Sequence, residues 1–148
     1  MSTSIFVNLP VQDLDRSVAF FAKLGYGFDP QFTNKDAACL VVDESINVML
    51  LREDFFATFT PKKVADSTGS TETIIALSAE SKQRVDELVN AALGAGAVRY
   101  KEPVQEGPMY GWGFQDLDGH LWELIYMEPR PGEADTSMPR GGDADRSS

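Results

Sequence analysis

The sequence predicts an α+β fold made from one βαβββ module used twice. Three observations predict it. Helix-spaced apolar residues recur, as Leu14, Val18 and Phe21 before Gly25 and as Val85, Val89 and Ala92 before Gly96, and the four pairs share one offset. Hairpins recur behind them: Asp43 to Leu51 lines up with Asp116 to Leu124, each an acidic turn running into an apolar strand. Finally, there are only two copies in 148 residues, which points to a duplicated module and not to a solenoid, where several copies are needed to bury a core. Helices that alternate with hairpins indicate a mixed or antiparallel sheet. Helices would cover one face of that sheet. The other is free to curve around a ligand in the groove where the two halves meet.

Taken in order, Ile5 to Leu9 reads as a strand ended by Pro10. Asp13 is placed to cap the next helix by accepting from its free backbone N–H groups. Leu14, Val18, Phe21 and Leu24 form its apolar stripe, and Gly25 ends it. Ala37 to Val42 and Ile46 to Leu51 are short apolar strands around a polar turn. The stretch 53–71 reads as a linker, with Phe55, Phe56 and Phe59 expected to pack onto the chain's own core. In the second module, Thr73 to Ser78 is a strand, and Ser81 caps a helix that ends at Gly94 and Gly96. Tyr110 to Gln115 and His120 to Met127 make the last hairpin around Asp116-Leu117-Asp118-Gly119. One strand per module is poorly marked. The modules therefore span about residues 4–52 and 72–128 of a single domain, and 129–148, without apolar periodicity, reads as a disordered tail.

Composition narrows the function classes. The net charge of −10 argues against a nucleic-acid footprint, which needs clustered Lys and Arg. No apolar run approaches the length of a membrane span, and no signal peptide is read at the N-terminus, so cytoplasmic residence is the expectation. Cys39 is the only cysteine, which leaves no intrachain disulfide and no cysteine zinc cluster; it reads as an inert core thiol.

Three places attract a functional reading. Glu123 sits in an apolar strand, where an unpaired carboxylate is costly. Two readings stand for it: a groove-facing acid that works as general base or anchors a ligand, or a carboxylate held by a backbone group or a nearby Tyr. Tyr110 and Trp112 share one strand face, with Gly111 and Gly113 between them marking a close approach. They either line a pocket or pack in the core, and packing is favoured. His120, the only histidine, lies an odd number of residues from Glu123, so it falls on the opposite face and reads as structural.

The chain resembles the vicinal oxygen chelate superfamily, which includes glyoxalase I, extradiol dioxygenases, fosfomycin-resistance thiol transferases and bleomycin-resistance proteins. Val11-Gln12-Asp13-Leu14-Asp15-Arg16-Ser17 with Phe20-Phe21 and Leu24-Gly25 is similar to its first-helix signature. Phe114 to Leu124 is similar to its last-hairpin signature, where the Glu is usually a metal ligand. The resemblance implies a cupped groove, a homodimer and, in metal-dependent members, a divalent ion that chelates vicinal oxygens of the substrate. The ligand positions it implies fall on Phe6, Leu50, Ile74 and Glu123, of which only Glu123 can ligate. A two-residue shift along the strands brings Asn8 and Glu72 beside Glu123, an oxygen set suited to a hard cation. The expectation is a groove without the usual metal or other cofactor. It would hold a small molecule between apolar walls (Phe6, Leu50, Ile74, Tyr110, Trp112), with Glu123 and Asn8 as polar anchors. The alternative is an enzyme of the same superfamily, a lyase, dioxygenase, isomerase or thiol transferase. It would use a non-standard metal site or Glu123 as base.

Overall fold

The structure, a computed structural model, describes residues 3–129. Two βαβββ modules are present. The first comprises β1 (Ile5–Val11), α1 (Leu14–Lys23), β2 (Gly27–Phe28), β3 (Ala37–Asp43) and β4 (Ile46–Arg52). A connection follows that contains a short helix, α2 (Glu53–Phe56), running on into a 3-10 turn, Ala57–Phe59. The second comprises β5 (Ile74–Ser78), α3 (Lys82–Gly94), β6 (Val104–Glu106), β7 (Met109–Gln115) and β8 (Leu121–Met127). The poorly marked strands are β2 and β6, edge strands of two and three residues. The tail read over 129–148 lies outside the described residues apart from Pro129. Among the described residues no helix is long and apolar enough to cross a membrane.

The helix ends follow their caps. Asp13 and Ser81 accept from Arg16 N and Arg84 N. Gly25 and Gly96 adopt φ of 102° and 112°, the left-handed conformation that closes a helix. Gly94 is the last residue of α3, two before Gly96.

The sheets have matching orders, β1-β4-β3-β2 and β5-β8-β7-β6, so the first strand of each module pairs in parallel with its last. β1 runs on through Pro10 to Val11, past the expected stop. The edge position of β1 tolerates a residue with no N–H. Strand alternation gives each sheet an inner face toward the helices and an outer face away from them. Leu9, Val11, Val48, Leu50, Trp112, Phe114, Trp122 and Leu124 point inward, into one hydrophobic cluster shared by both modules. Within it, Phe20 and Phe21 of α1 reach the opposite sheet: Phe21 lies 5.1 Å from Trp122 and Phe20 lies 6.0 Å from Phe114, centroid to centroid.

The linker aromatics divide. Phe55 and Phe56 are half-buried, whereas Phe59 stacks edge-on against Phe55 and is 60% exposed. The expectation of core packing is thus corrected for Phe59.

Candidate functional site

Facing decides which candidates share a site. The pairs Leu40–Val48 and Phe114–Trp122 occupy the same place in their hairpins, so hairpin equivalents lie 74 residues apart. The outer-face counterpart of Glu123 is therefore Met49, and Leu50 belongs to the inner core, fully buried. The placement of Leu50 in the groove is corrected here. Matching Asp43 to Asp116 slipped the register by one residue, and one residue turns every side chain to the other face. The same test moves Tyr110 and Trp112 off the groove. Both point inward: Tyr110 Oη donates to Asp86 on α3 at 2.6 Å, and Trp112 Nε1 donates to Lys101 O at 2.9 Å. Burial, followed by the hydrogen bond to Asp86 and that carboxylate's charge, pushes the Tyr110 phenol up to about 12.

Phe6, Asn8 and Ile74 do lie on outer faces, opposite in phase to the inward Val7, Leu9 and Ile75. Phe6 and Ile74 are about half exposed, at 49% and 52%. Asn8 pairs in register with Met49, and Ala76 pairs with Glu123. The outer face of module 2 thus surrounds its carboxylate with small residues: Ala76 on one side and Gly113 on the other.

Those small neighbours leave room for two groups that strand periodicity does not reveal. Tyr100 and Lys101, in the segment between α3 and β6, cross the sheet edge toward Glu123. Tyr100 Oη donates to Glu123 Oε2. Lys101 Nζ donates to both carboxylate oxygens, at 3.2 and 3.1 Å. A Cβ on Gly113 would run into the Trp122 carbonyl oxygen and come within 3.1 Å of Tyr100 Oη. The glycine signal in β7 therefore marks the close approach of a side chain from the chain itself. Glu123 is 14% exposed and Lys101 32%, so the pair is largely screened from water. Burial, then the hydrogen bond to Glu123 and its charge, raises the Tyr100 phenol well above the ordinary tyrosine value.

Such surroundings suit a divalent ion poorly. An ammonium already neutralises the one carboxylate, and among the described residues no three His, Cys, Asp or Glu side chains converge. Asn8 and Glu72 do come together. They line a small cavity of about 160 Å³ between β1, the linker and the last turn, with Phe56 and His120 also in its wall. Glu123 is absent from that wall, so the three-residue set is not assembled.

His120 joins the modules. Its Nε2 lies 2.7 Å from Pro10 O, and because a carbonyl only accepts, this nitrogen carries the proton. Asp118, in the same turn, accepts from Gln12 N at 2.9 Å and from Ser17 Oγ at 3.1 Å. Asp116 shapes the turn by accepting from Asp118 N, His120 N and Trp122 Nε1, each at 2.9 Å. Burial raises its carboxyl, against the opposing pull of His120 and these donors. Cys39 is buried, and burial pushes its thiol up, in keeping with an unreactive role.

Known proteins share this architecture. Residues 3–43 match the family model described as bleomycin resistance protein-like N-terminal. The hypothetical protein SA1046 from S. aureus is 31% identical, with a TM-score of 0.71 over 84% of this chain and 94% of that one. A glyoxalase/bleomycin resistance protein/dioxygenase family enzyme from Burkholderia phytofirmans PsJN shares the fold at 17% identity, with a TM-score of 0.70 over 84% of this chain and 98% of that one. A glyoxalase/bleomycin resistance protein/dioxygenase from Nocardioides does so at 19% identity, with a TM-score of 0.67 over 91% and 89%. No curated protein sequence matches the chain. The repeated βαβββ modules, the matched N-terminal segment and the 31% identical relative place this chain in the vicinal oxygen chelate superfamily, with its glyoxalase/bleomycin-resistance/dioxygenase fold.

Proposed function

We propose that the chain binds a small molecule on the outer face of its sheets, at the Glu123 cluster, and does so without a divalent metal. The observation that carries this reading is the Lys101 ammonium bonded to both oxygens of Glu123. A cation held against that carboxylate opposes a second cation. Around the cluster, Ile74, Ile125 and Ala76 offer an apolar and shallow surface. Lys101 has donor capacity left after its two contacts, so a ligand with a carbonyl or carboxylate oxygen fits better than a cationic one. Asn8 would serve as a second polar contact from the other module's outer face.

A second copy of the chain would complete the groove. Phe6, Ile74 and Met127 are 49%, 52% and 50% exposed on outer faces, an apolar surface of the kind that associates. The rival reading makes Glu123 a general base. Its oxygens already accept from Tyr100 and Lys101, so a substrate proton would have to displace one of those donors to reach them.

The deciding experiment is dialysis of the protein against Mg²⁺, Mn²⁺, Ni²⁺ and Zn²⁺ followed by elemental mass spectrometry, beside the same treatment of Lys101→Met. Metal far below one per chain in the wild type is expected, with uptake rising in the variant. Near-stoichiometric metal in the wild type would overturn the metal-free reading. The binding reading is checked by methyl NMR with a panel of small carboxylates and ketones. Saturable shifts at Ile74 and Ile125 are expected, and their absence for every compound would count against it.

A further inference from the structure

The two modules meet at two pseudo-equivalent junctions, in each of which the hairpin turn of one module faces the N-terminal end of the other module's helix. One junction is latched. Asp118 bonds Gln12 N and Ser17 Oγ, and His120 bonds Pro10 O. At the other, the equivalent of His120 is Ile46, 74 residues earlier by the hairpin register. The equivalent of Ser17 is Leu88, at the offset shared by the two helix stripes. Ser78 takes the place of Pro10, because Leu9–Leu50 and Leu77–Leu124 are matching pairs. The latch's His120 and Ser17 thus have apolar counterparts, Glu44 stands where Asp118 would, and among the described residues no side-chain hydrogen bond joins Asp43, Glu44 or Ser45 to the start of α3. A cleft of about 590 Å³ occupies the junction instead, with Ile46, Leu88 and Ser78 all in its wall.

That volume falls within the range of small-molecule sites, which combine an apolar body with a few converging polar groups. Tyr26, Leu77, Leu88 and Leu124 supply the apolar part. Asp43, Glu80, Arg84 and Glu87 supply the polar rim. Arg84 is paired with Glu87 at 3.5 Å. Asp43 and Glu80 have no basic partner among the described residues, so the rim carries excess negative charge. We propose that this inter-module cleft is a second ligand site, distinct from the outer-face groove, and that it takes an organic ammonium ion with an apolar or aromatic body. The ammonium would sit between the Asp43 and Glu80 carboxylates, with the Tyr26 ring available to its face. The body would lie along Leu77, Leu88 and Leu124. The overall charge of −10 raises the local concentration of such cations.

The test is a titration of the full chain followed by ¹H–¹⁵N NMR, with phenethylammonium, neutral 2-phenylethanol and anionic phenylacetate as probes. Phenethylammonium should give saturable shifts at Asp43 to Ile46 and Ser78 to Arg84, with affinity about fivefold or more above that of the alcohol. Phenylacetate should bind more weakly than either. In Asp43→Asn/Glu80→Gln, changes confined to exposed positions, the advantage of the ammonium should vanish while apolar binding remains. Raising the salt should shrink the same advantage. Equal affinity for the three probes, lack of saturation, or shifts centred on Glu123 instead would overturn the proposal. The outer-face reading is untouched by failure here, because its readouts are metal content and the Ile74 and Ile125 methyls.

Discussion

The two modules share one backbone plan and distribute their bulk in opposite ways. Module 1 carries its inner aromatics on the helix, as Phe20 and Phe21, above a sheet of Ala38, Leu40 and Val48. Module 2 carries them on the sheet, as Trp112, Phe114 and Trp122, beneath a helix that has Ala91 and Ala92 at the positions of Phe20 and Phe21. Large faces small within each module, and the large sets meet across the boundary, with Phe21 against Trp122. On the outer faces the division is chemical: Met49 and Cys39 in one, Glu123 and Gly113 in the other. Duplication has let one half give up charge and the other concentrate it, while the shared core binds them into a single unit.

The sharpest way to break this comparison is to remove the bulk at equivalent positions. Trp122→Ala should cost about 3–5 kcal/mol in urea unfolding, because it opens a cavity beside Phe21 and leaves Asp116 without its indole donor. Val48→Ala, its counterpart, should cost about 2 kcal/mol. Equal losses would mean that the aromatic contact does not hold the modules together. Glu123→Gln tests the outer face. It removes the charge that Lys101 and Tyr100 meet, and a loss of about 1–2 kcal/mol is expected after allowance for partial solvent screening. Met49→Gln, with no such partners, should change stability by less than that, as measured by the same unfolding curves.

Alkaline pH gives a further contrast, since the two phenols that donate to a carboxylate, Tyr100 and Tyr110, both belong to module 2, whereas Tyr26 of module 1 is raised by burial alone. Tyr100 and Tyr110 bind their protons more tightly in the folded chain than in the unfolded one. Their contribution is fully present below the ordinary value of 10.0 and is lost as pH rises from there through about 12 for Tyr110 and beyond for Tyr100. Tyr110→Phe should flatten the fall in stability between those limits. A profile identical to wild type would show that the Asp86 contact is absent in solution. The smallest effect is expected at the latched junction. Ser17→Ala removes one of its hydrogen bonds and should cost about 1 kcal/mol, with the loss of Asp118's remaining partner avoided because Gln12 N stays in place.

Much of this fold is written in local chemistry. The helices are legible because their stripes, caps and terminal glycines depend on residues within a turn or two of each other. The hairpins are legible as elements but not in phase. The acidic residue falls one position later in the first turn than in the second, and matching acid to acid reversed the facing of Leu50. The partners of Glu123 were hidden for another reason. Tyr100 and Lys101 lie in an irregular segment more than twenty residues away, and no periodicity ties them to β8. The Gly111 and Gly113 alternation did signal that something approaches the sheet there. That the visitor is Tyr100 follows only from the three-dimensional path of the chain.

The parallel pairing of first strand to last has a consequence for how the chain comes off the ribosome. Ile5 must wait for Ile46, and Ile74 for Leu121, so each sheet closes only when its final strand has emerged. β8 lies between β5 and β7 in the sheet, so a nascent chain that stops short of Leu121 holds two strands without their common neighbour. Meanwhile α1, already made, presents Phe20 and Phe21 with no Phe114 or Trp122 to receive them. The interval between synthesis of the two modules is thus the time when this protein is most exposed to aggregation, and the last hairpin ends it.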